Sequence, residues 1–245
     1  SRKEFQKMSK TIIALDFSTE EETIKFLKNF KMPIYVKVGM ELFYRCGFNI
    51  IADIKNMNHK IFLDLKLHDI PNTVKNGIKN LALLDVDMIN VHCAGGTEMM
   101  KAGLEGLESA MKISGKNKRP LLIGVTQLTS TSKEMMNEEQ GIDGDVIDSV
   151  LRYARSAEKS GLDGVVCSVH EVKKIHEVCG RDFLTVTPGI RLNSDEKDDQ
   201  RRIATPRLAK EEGSDYIVVG RSITNSEDPF KTYEKIEREM NSLNG

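Results

Sequence analysis

Four charged residues, Lys37, Asp64, Lys66 and Asp69, have the types and spacing to do chemistry together. Asp64 and Lys66 are two apart at the end of an apolar run. Side chains two apart on a strand share a face. Lys37 lies at the end of a second such run, so on a neighbouring strand it would come beside Asp64. Asp69 follows in the loop, and Pro71 is placed to begin a helix. The order Lys37, Asp64, Lys66, Asp69 alternates in sign. Each charge then has an opposite neighbour, which makes partly buried charges tolerable. Two carboxylates flanking an ammonium also suit proton delivery, because nearby charges set its pKa. The plain alternative is a salt-bridged rim that only stabilises the fold.

These residues need a scaffold that lines up strand ends. Eight short apolar runs supply it: Thr11–Leu15, Tyr35–Val38, Lys60–Leu65, Met88–Val91, Leu121–Val125, Gly164–Cys167, Leu184–Thr187 and Tyr216–Val219. Most are continuous rather than alternating, as expected of strands covered on both faces. Helical stretches lie between them. Ser18 or Thr19 caps a helix to about Phe30, with Glu21 and Glu22 in its first turn. The others are Glu41–Met57, Pro71 to about Leu84, Thr97–Ser114, Asp145–Lys159, Val169–Val178, Pro206–Glu212 and Pro229–Leu243. Gly161, Gly180 and Gly213 stand where C-caps belong. Eight strands alternating with eight helices predict an α/β fold, a TIM (β/α)8 barrel formed as one domain over 11–245. Residues 1–10 read as a polar extension. An open doubly wound sheet is the alternative architecture; it would leave two edge strands.

The barrel reading makes strand ends informative, because active sites of this fold sit at the C-terminal ends of its strands. Those ends carry Asp16, Lys37, Asp64 with Lys66, His92, Thr126 with Thr129, Ser168, Pro188 with Arg191, and Gly220 with Arg221. Loop composition explains charges in loops. It does not explain charges that begin inside strands covered on both faces. Gly220 lets a backbone approach an anion, and Arg221 brings a two-pronged charged donor. The long polar stretch Pro188–Arg202 reads as a lid.

Composition narrows the classes. The 245 residues carry 36 basic and 37 acidic side chains, a formal net charge of -1. No global basic field recruits nucleic acid or an anionic membrane, so any anion site is built locally. No apolar run is long enough to span a bilayer, and Ser1–Lys10 lacks the apolar centre of a signal peptide. Cys46, Cys93, Cys167 and Cys179 form no CxxC pair and no metal-type spacing with histidine. They are expected to be reduced thiols in a cytoplasmic protein.

The segment Phe62-Leu63-Asp64-Leu65-Lys66-Leu67-His68-Asp69-Ile70-Pro71-Asn72-Thr73 resembles the DxKxxD-I-P-N-T signature of orotidine 5′-monophosphate decarboxylases. Further motifs resemble that family strand by strand: Ala14-Leu15-Asp16, Lys37-Val38-Gly39, Asn90-Val91-His92 with Gly95-Gly96, Val125-Thr126-Gln127-Leu128-Thr129-Ser130, and Asp163 to Ser168. They continue with Val186-Thr187-Pro188-Gly189-Ile190-Arg191, then Asp199-Gln200-Arg201-Arg202, then Val219-Gly220-Arg221. The likeness covers nearly the whole chain in order.

The resemblance implies cofactor-free, metal-free decarboxylation of orotidine 5′-monophosphate to UMP. Lys66 would be the proton donor, Asp64 its neighbour near the departing carboxylate, and Lys37 the residue orienting Asp64 and reaching the ribose. Asp16 would hold the ribose and Thr129 would meet the nucleotide. Pro188, Arg191, Gln200, Gly220 and Arg221 would serve binding, with Arg191, Gln200 and Arg221 at the phosphate. Family members are dimers, which would assign Asp69, Ile70 and Thr73 to the partner's substrate. For His68 and His92 a structural hydrogen-bonding role is the expectation.

Two other readings compete. A phosphosugar decarboxylase or synthase of the same barrel superfamily shares Asp-x-Lys-x-x-Asp but uses a divalent metal. The continuation from His68 to Thr73 and Pro188-Gly189-Ile190-Arg191 favour the orotidylate reading. A catalytically dead nucleotide-binding protein would keep the pocket; intact Lys66 and both aspartates speak against it.

Overall fold

Continuous apolar runs form the strands, and amphipathic stretches form the helices around them. A computed structural model describes residues 10–192 and 204–241. In chain order the elements are β1 (Thr11–Ala14), α1 (Glu20–Leu27), β2 (Tyr35–Gly39), α2 (Met40–Cys46), α3 (Phe48–Asn56), β3 (Lys60–Leu67) and α4 (Pro71–Ala82). Next come β4 (Met88–His92), α5 (Gly96–Ser114), β5 (Leu121–Val125), α6 (Val146–Ser160), β6 (Gly164–Val166) and α7 (Val172–Cys179). The chain ends with β7 (Leu184–Ile190), α8 (Pro206–Glu212), β8 (Tyr216–Val219), α9 (Arg221–Thr224) and α10 (Pro229–Asn241). The strands order themselves β1 to β8 as a closed barrel, the expected TIM fold. The pairings of β1 with β2 and β8, β2 with β3, β4 with β5, β5 with β6 and β6 with β7 are parallel.

The described chain divides into two compact units. One is drawn from Ser1–Asp64 and Gly189–Gly245, the other from Leu65–Pro188. In the first, Ile12, Ile13, Val36, Val38, Ile61, Leu63, Ile217 and Val219 are fully buried strand residues. An aromatic series, Phe17, Phe26, Phe30 and Tyr233, packs outside them, with successive ring centroids 5.2–5.7 Å apart. In the second, Met88, Ile89, Val91, Leu122, Ile123, Val165 and Val186 are fully buried. Each such side chain contributes about 1.5–3 kcal/mol by leaving water. Helices α4 and α5 pack closely there because Gly106 has no Cβ; one would lie 2.3 Å from the Lys75 carbonyl oxygen.

Local signals behave largely as expected. The Thr19 side chain accepts the Glu22 N–H at 3.2 Å and caps α1. Gly161 and Gly213 end α6 and α8 in the left-handed conformation. One helix differs from expectation. Glu41–Met57 is two helices, because Gly47 adopts φ 66° and ψ -150° between Cys46 and Phe48. A glycine makes that break inexpensive. Residues 169–178 also start with a short 3-10 turn, capped by Ser168 and Glu171, before α7. All four cysteines are free. Burial pushes the Cys93 thiol up to about 12, which keeps it protonated. Among the described residues, no helix is long and apolar enough to cross a membrane.

Candidate active site

Strand register brings the first charges together. Ala14 on β1 is level with Lys37 on β2, and Lys37 is level with Phe62 on β3. Asp16 and Asp64 each stand two residues further along the chain, towards the C-terminal ends. The Lys37 ammonium therefore meets both: Nζ lies 3.4 Å from Asp16 Oδ1 and 3.3 Å from Asp64 Oδ2. Lys37 and Asp64 side chains are only 14% and 11% exposed, whereas Asp16 is 64% exposed. Lys37 thus ties a shielded carboxylate to an accessible one. Removing one member of such a shielded pair leaves an uncompensated charge, which typically costs about 3–5 kcal/mol. Gly39 belongs to the same arrangement; a Cβ there would lie 3.2 Å from Lys37 Nζ.

A cleft of about 380 Å³ opens beside this cluster in the same unit. Its lining includes Asp16, Gly189, Arg191, Gly220, Arg221 and Ser222. Gly220 follows β8, and Arg221 opens the single-turn helix α9. Arg191 is held after β7 by its N–H, which donates to the Ala204 carbonyl at 2.9 Å. The Leu192 N–H donates to Ser222 Oγ at 3.4 Å. Two guanidinium groups and Ser222 thus line one hollow, a donor set suited to a multiply charged anion. Ser222 and Asn225 line the cleft without having been singled out in the sequence. Their signal was position alone, just past Gly220-Arg221. Gln200 lies outside the described residues, as does most of the expected lid.

The second unit holds Lys66, whose backbone is unusual for a strand. Lys66 lies within β3 but has φ 52°. A left-handed non-glycine residue costs about 1–3 kcal/mol and interrupts the two-residue alternation of an extended strand. The two-residue period assumes extended backbone, and Lys66 departs from that. Its backbone N–H donates to Asn90 Oδ1 at 2.8 Å. Asn90 is fully buried on β4, two residues before His92. The His68 and His92 rings stand 5.6 Å apart.

Asp69 stands apart from the expected alternating row within its own chain. Its carboxylate accepts the neighbouring Ile70 N–H at 2.6 Å, and among the described residues it makes no ion pair. Asp69, Ile70 and Thr73 are all exposed, Ile70 by 67%. Pro71 begins α4 as expected. Thr129 is exposed in the turn after β5, and Pro188 is half-buried in β7. Among the described residues, no group of three or more His, Cys, Asp or Glu side chains is placed to hold a metal ion.

A (β/α)8 chain with paired charges and an arginine-lined cleft at its strand ends has the layout of a TIM-barrel enzyme. Residues 9–236 match the orotidine 5′-phosphate decarboxylase / HUMPS family, and the chain belongs to it. A Bacillus cytotoxicus protein named orotidine 5′-phosphate decarboxylase is 58% identical over 238 residues, covering 96% of this chain and 99% of that one. Its Bacillus mycoides namesake is 57% identical over 233 residues, covering 95% and 97%. The crystal structure of orotidine 5′-phosphate decarboxylase from Lactobacillus acidophilus superposes with a TM-score of 0.84 at 45% identity, covering 95% of this chain and 99% of that one. An uncharacterized conserved protein from Geobacillus kaustophilus gives 0.85 at 48%, covering 94% and 100%.

Proposed function

We propose that this protein decarboxylates orotidine 5′-monophosphate to UMP, without a cofactor, in the cytoplasm. The observation that carries the reading is whole-length identity of 57–58% to proteins named for that activity. Family membership alone is coarser, since the family name also covers HUMPS proteins. The near-identical length of the relatives matters because every strand-end motif lies inside the matched span.

The chemistry sets the demand. The bond from carbon 6 of the pyrimidine to the carboxylate breaks, carbon dioxide leaves, and the electron pair stays on carbon 6. The ring cannot delocalise that pair well. Help near the top of the enzymatic range, about 20 kcal/mol, is required. Preorganised charge is its main source. Lys66 stabilises the developing carbanion and then delivers a proton to carbon 6; water restores its own proton afterwards. Asp64 stands near the departing carboxylate. Lys37 steadies Asp64, and Asp16 and Lys37 hold ribose hydroxyls; the 3.3 and 3.4 Å contacts support that division. Arg191, Gly220 and Arg221 take the phosphate, supported by their common cleft, and Gln200 joins them. Thr129 and Pro188 meet the nucleotide. Binding energy at the phosphate, remote from the breaking bond, organises the charges around it.

The protein acts as a homodimer in which Asp69, Ile70 and Thr73 serve the partner's substrate. A 67% exposed isoleucine beside an exposed carboxylate supports this placement. The test is loss of the ultraviolet absorbance of orotidine monophosphate with purified, chelator-treated protein. Turnover that survives chelation is expected. Turnover that disappears and returns with a divalent metal would point to the phosphosugar branch instead.

A further inference from the structure

We propose that Asn90 is a positioning residue for Lys66, its buried side-chain oxygen holding the left-handed backbone that presents the ammonium. This rests on the decarboxylase reading and on Lys66 as its proton donor. Asn90 is 0% exposed, on β4. A buried carboxamide is costly unless its polar atoms are used. Asn90 Oδ1 accepts the Lys66 N–H at 2.8 Å. Lys66 has φ 52°, inside a segment that is otherwise strand. A residue with a Cβ persists in that conformation only where the surroundings over-determine it. The hydrogen bond supplies one part of that constraint, because it holds the peptide plane from which the strained residue turns. The bond anchors the rigid Leu65–Lys66 peptide plane, and the side chain leaves from that plane at the angle φ sets, so with the plane held the left-handed φ gives the Lys66 Cα–Cβ bond one direction.

The proposal separates Asn90 from a core amide that is merely satisfied, and from a group that touches the substrate. Loss of the oxygen acceptor should let Lys66 relax towards extended backbone and displace its ammonium. Misplacement of a reacting group by an ångström costs about 100-fold in rate.

The experiment compares Asn90→Leu, Asn90→Ala and Asn90→Asp in the full chain. It measures kcat on orotidine monophosphate and, separately, the Kd of UMP. Asn90→Leu keeps the volume without an acceptor; Asn90→Asp keeps an oxygen at the same place. Leu and Ala should lower kcat about 100-fold, leave the UMP Kd within about threefold, and Asp should recover most of the loss. A crystal structure of Asn90→Ala should show Lys66 at negative φ. Should Asn90→Leu fail to fold, the Ala and Asp pair decides. The proposal is overturned if kcat stays near wild type in the Ala variant. It is equally overturned if kcat and UMP affinity fall in the same proportion, or if Asp does no better than the variants without an acceptor. A wild type without turnover would overturn the functional reading and this inference with it. A wild type that turns over beside an unaffected Asn90→Ala would overturn the inference alone.

Discussion

The strand starts and the cleft side of the strand ends use polar side chains differently. At the starts, each of three polar side chains accepts at least one backbone N–H. Glu237, fully buried on α10, accepts the Lys10 and Thr11 N–H groups at 3.1 and 2.7 Å. His59 Nδ1 accepts the Ile34 N–H at 3.2 Å. In the other unit, Asp163 accepts the Leu122 N–H and a two-pronged Arg119 guanidinium. At the ends, Lys37 pairs with side chains, and Arg191, Arg221 and Asp16 line a cleft. Polar groups tied to backbone stabilise; polar groups tied to one another beside a hollow remain available to a ligand. Ion pairs occur at both places, Arg119 with Asp163 at the starts and Lys37 with Asp16 and Asp64 at the ends, and the latter stand beside the cleft.

If that division holds, end substitutions should cost turnover and start substitutions should cost stability. The largest effect is expected at Lys66. Lys66→Ala should lower kcat by about 10⁴-fold or more, since it removes both charge stabilisation and the proton donor. Absorbance kinetics with matched UMP binding would measure it, and retention of appreciable turnover would unseat Lys66. Next comes Arg221→Ala, expected to lower kcat/KM by about 10²–10³-fold through loss of a two-pronged phosphate contact. An unchanged kcat/KM would contradict the phosphate assignment.

The start substitutions should show the reverse pattern. Glu237→Ala strands two backbone donors, one of them buried, and should cost about 2–4 kcal/mol in urea unfolding with kcat unaltered. A loss of turnover without a loss of stability would break the contrast. The last expected effect, similar in size at its acid limit and small near neutral pH, is a pH dependence. Burial lowers His59 to about 4 from 6.5. The folded protein keeps it neutral while the unfolded chain takes up a proton, so its contribution is present above pH 6.5. It is lost as pH falls towards 4, by up to about 3 kcal/mol. Glu237 runs the other way: burial raises its carboxyl, so its contribution declines as pH rises from the usual carboxylate value through the raised one. Unfolding midpoints of His59→Gln across pH 4–7 should therefore lack part of the acid loss seen in wild type.

Much of this was legible in the sequence, for definable reasons. Continuous apolar runs announce strands covered on both faces, and β5 and β8 begin and end where the runs Leu121–Val125 and Tyr216–Val219 do. Proline and glycine set the limits of α8. Lys37 beside Asp64 followed from their strand-end positions. Three features were not legible. Gly47 looked like an interior helix residue, because a lone glycine within a helical period signals a break only once its φ is known. The left-handed Lys66 is invisible to a two-residue period, since a single dihedral changes no residue type. Asn90 stood in a quoted motif, but its acceptor role needs β3 and β4 side by side.

The most direct test of the central claim is the absorbance of orotidine monophosphate followed with chelator-treated wild type and Lys66→Ala in parallel. Steady loss with the wild type and none above background with Lys66→Ala is the predicted result. No loss with a wild type that still binds UMP, or equal loss with both, would contradict it.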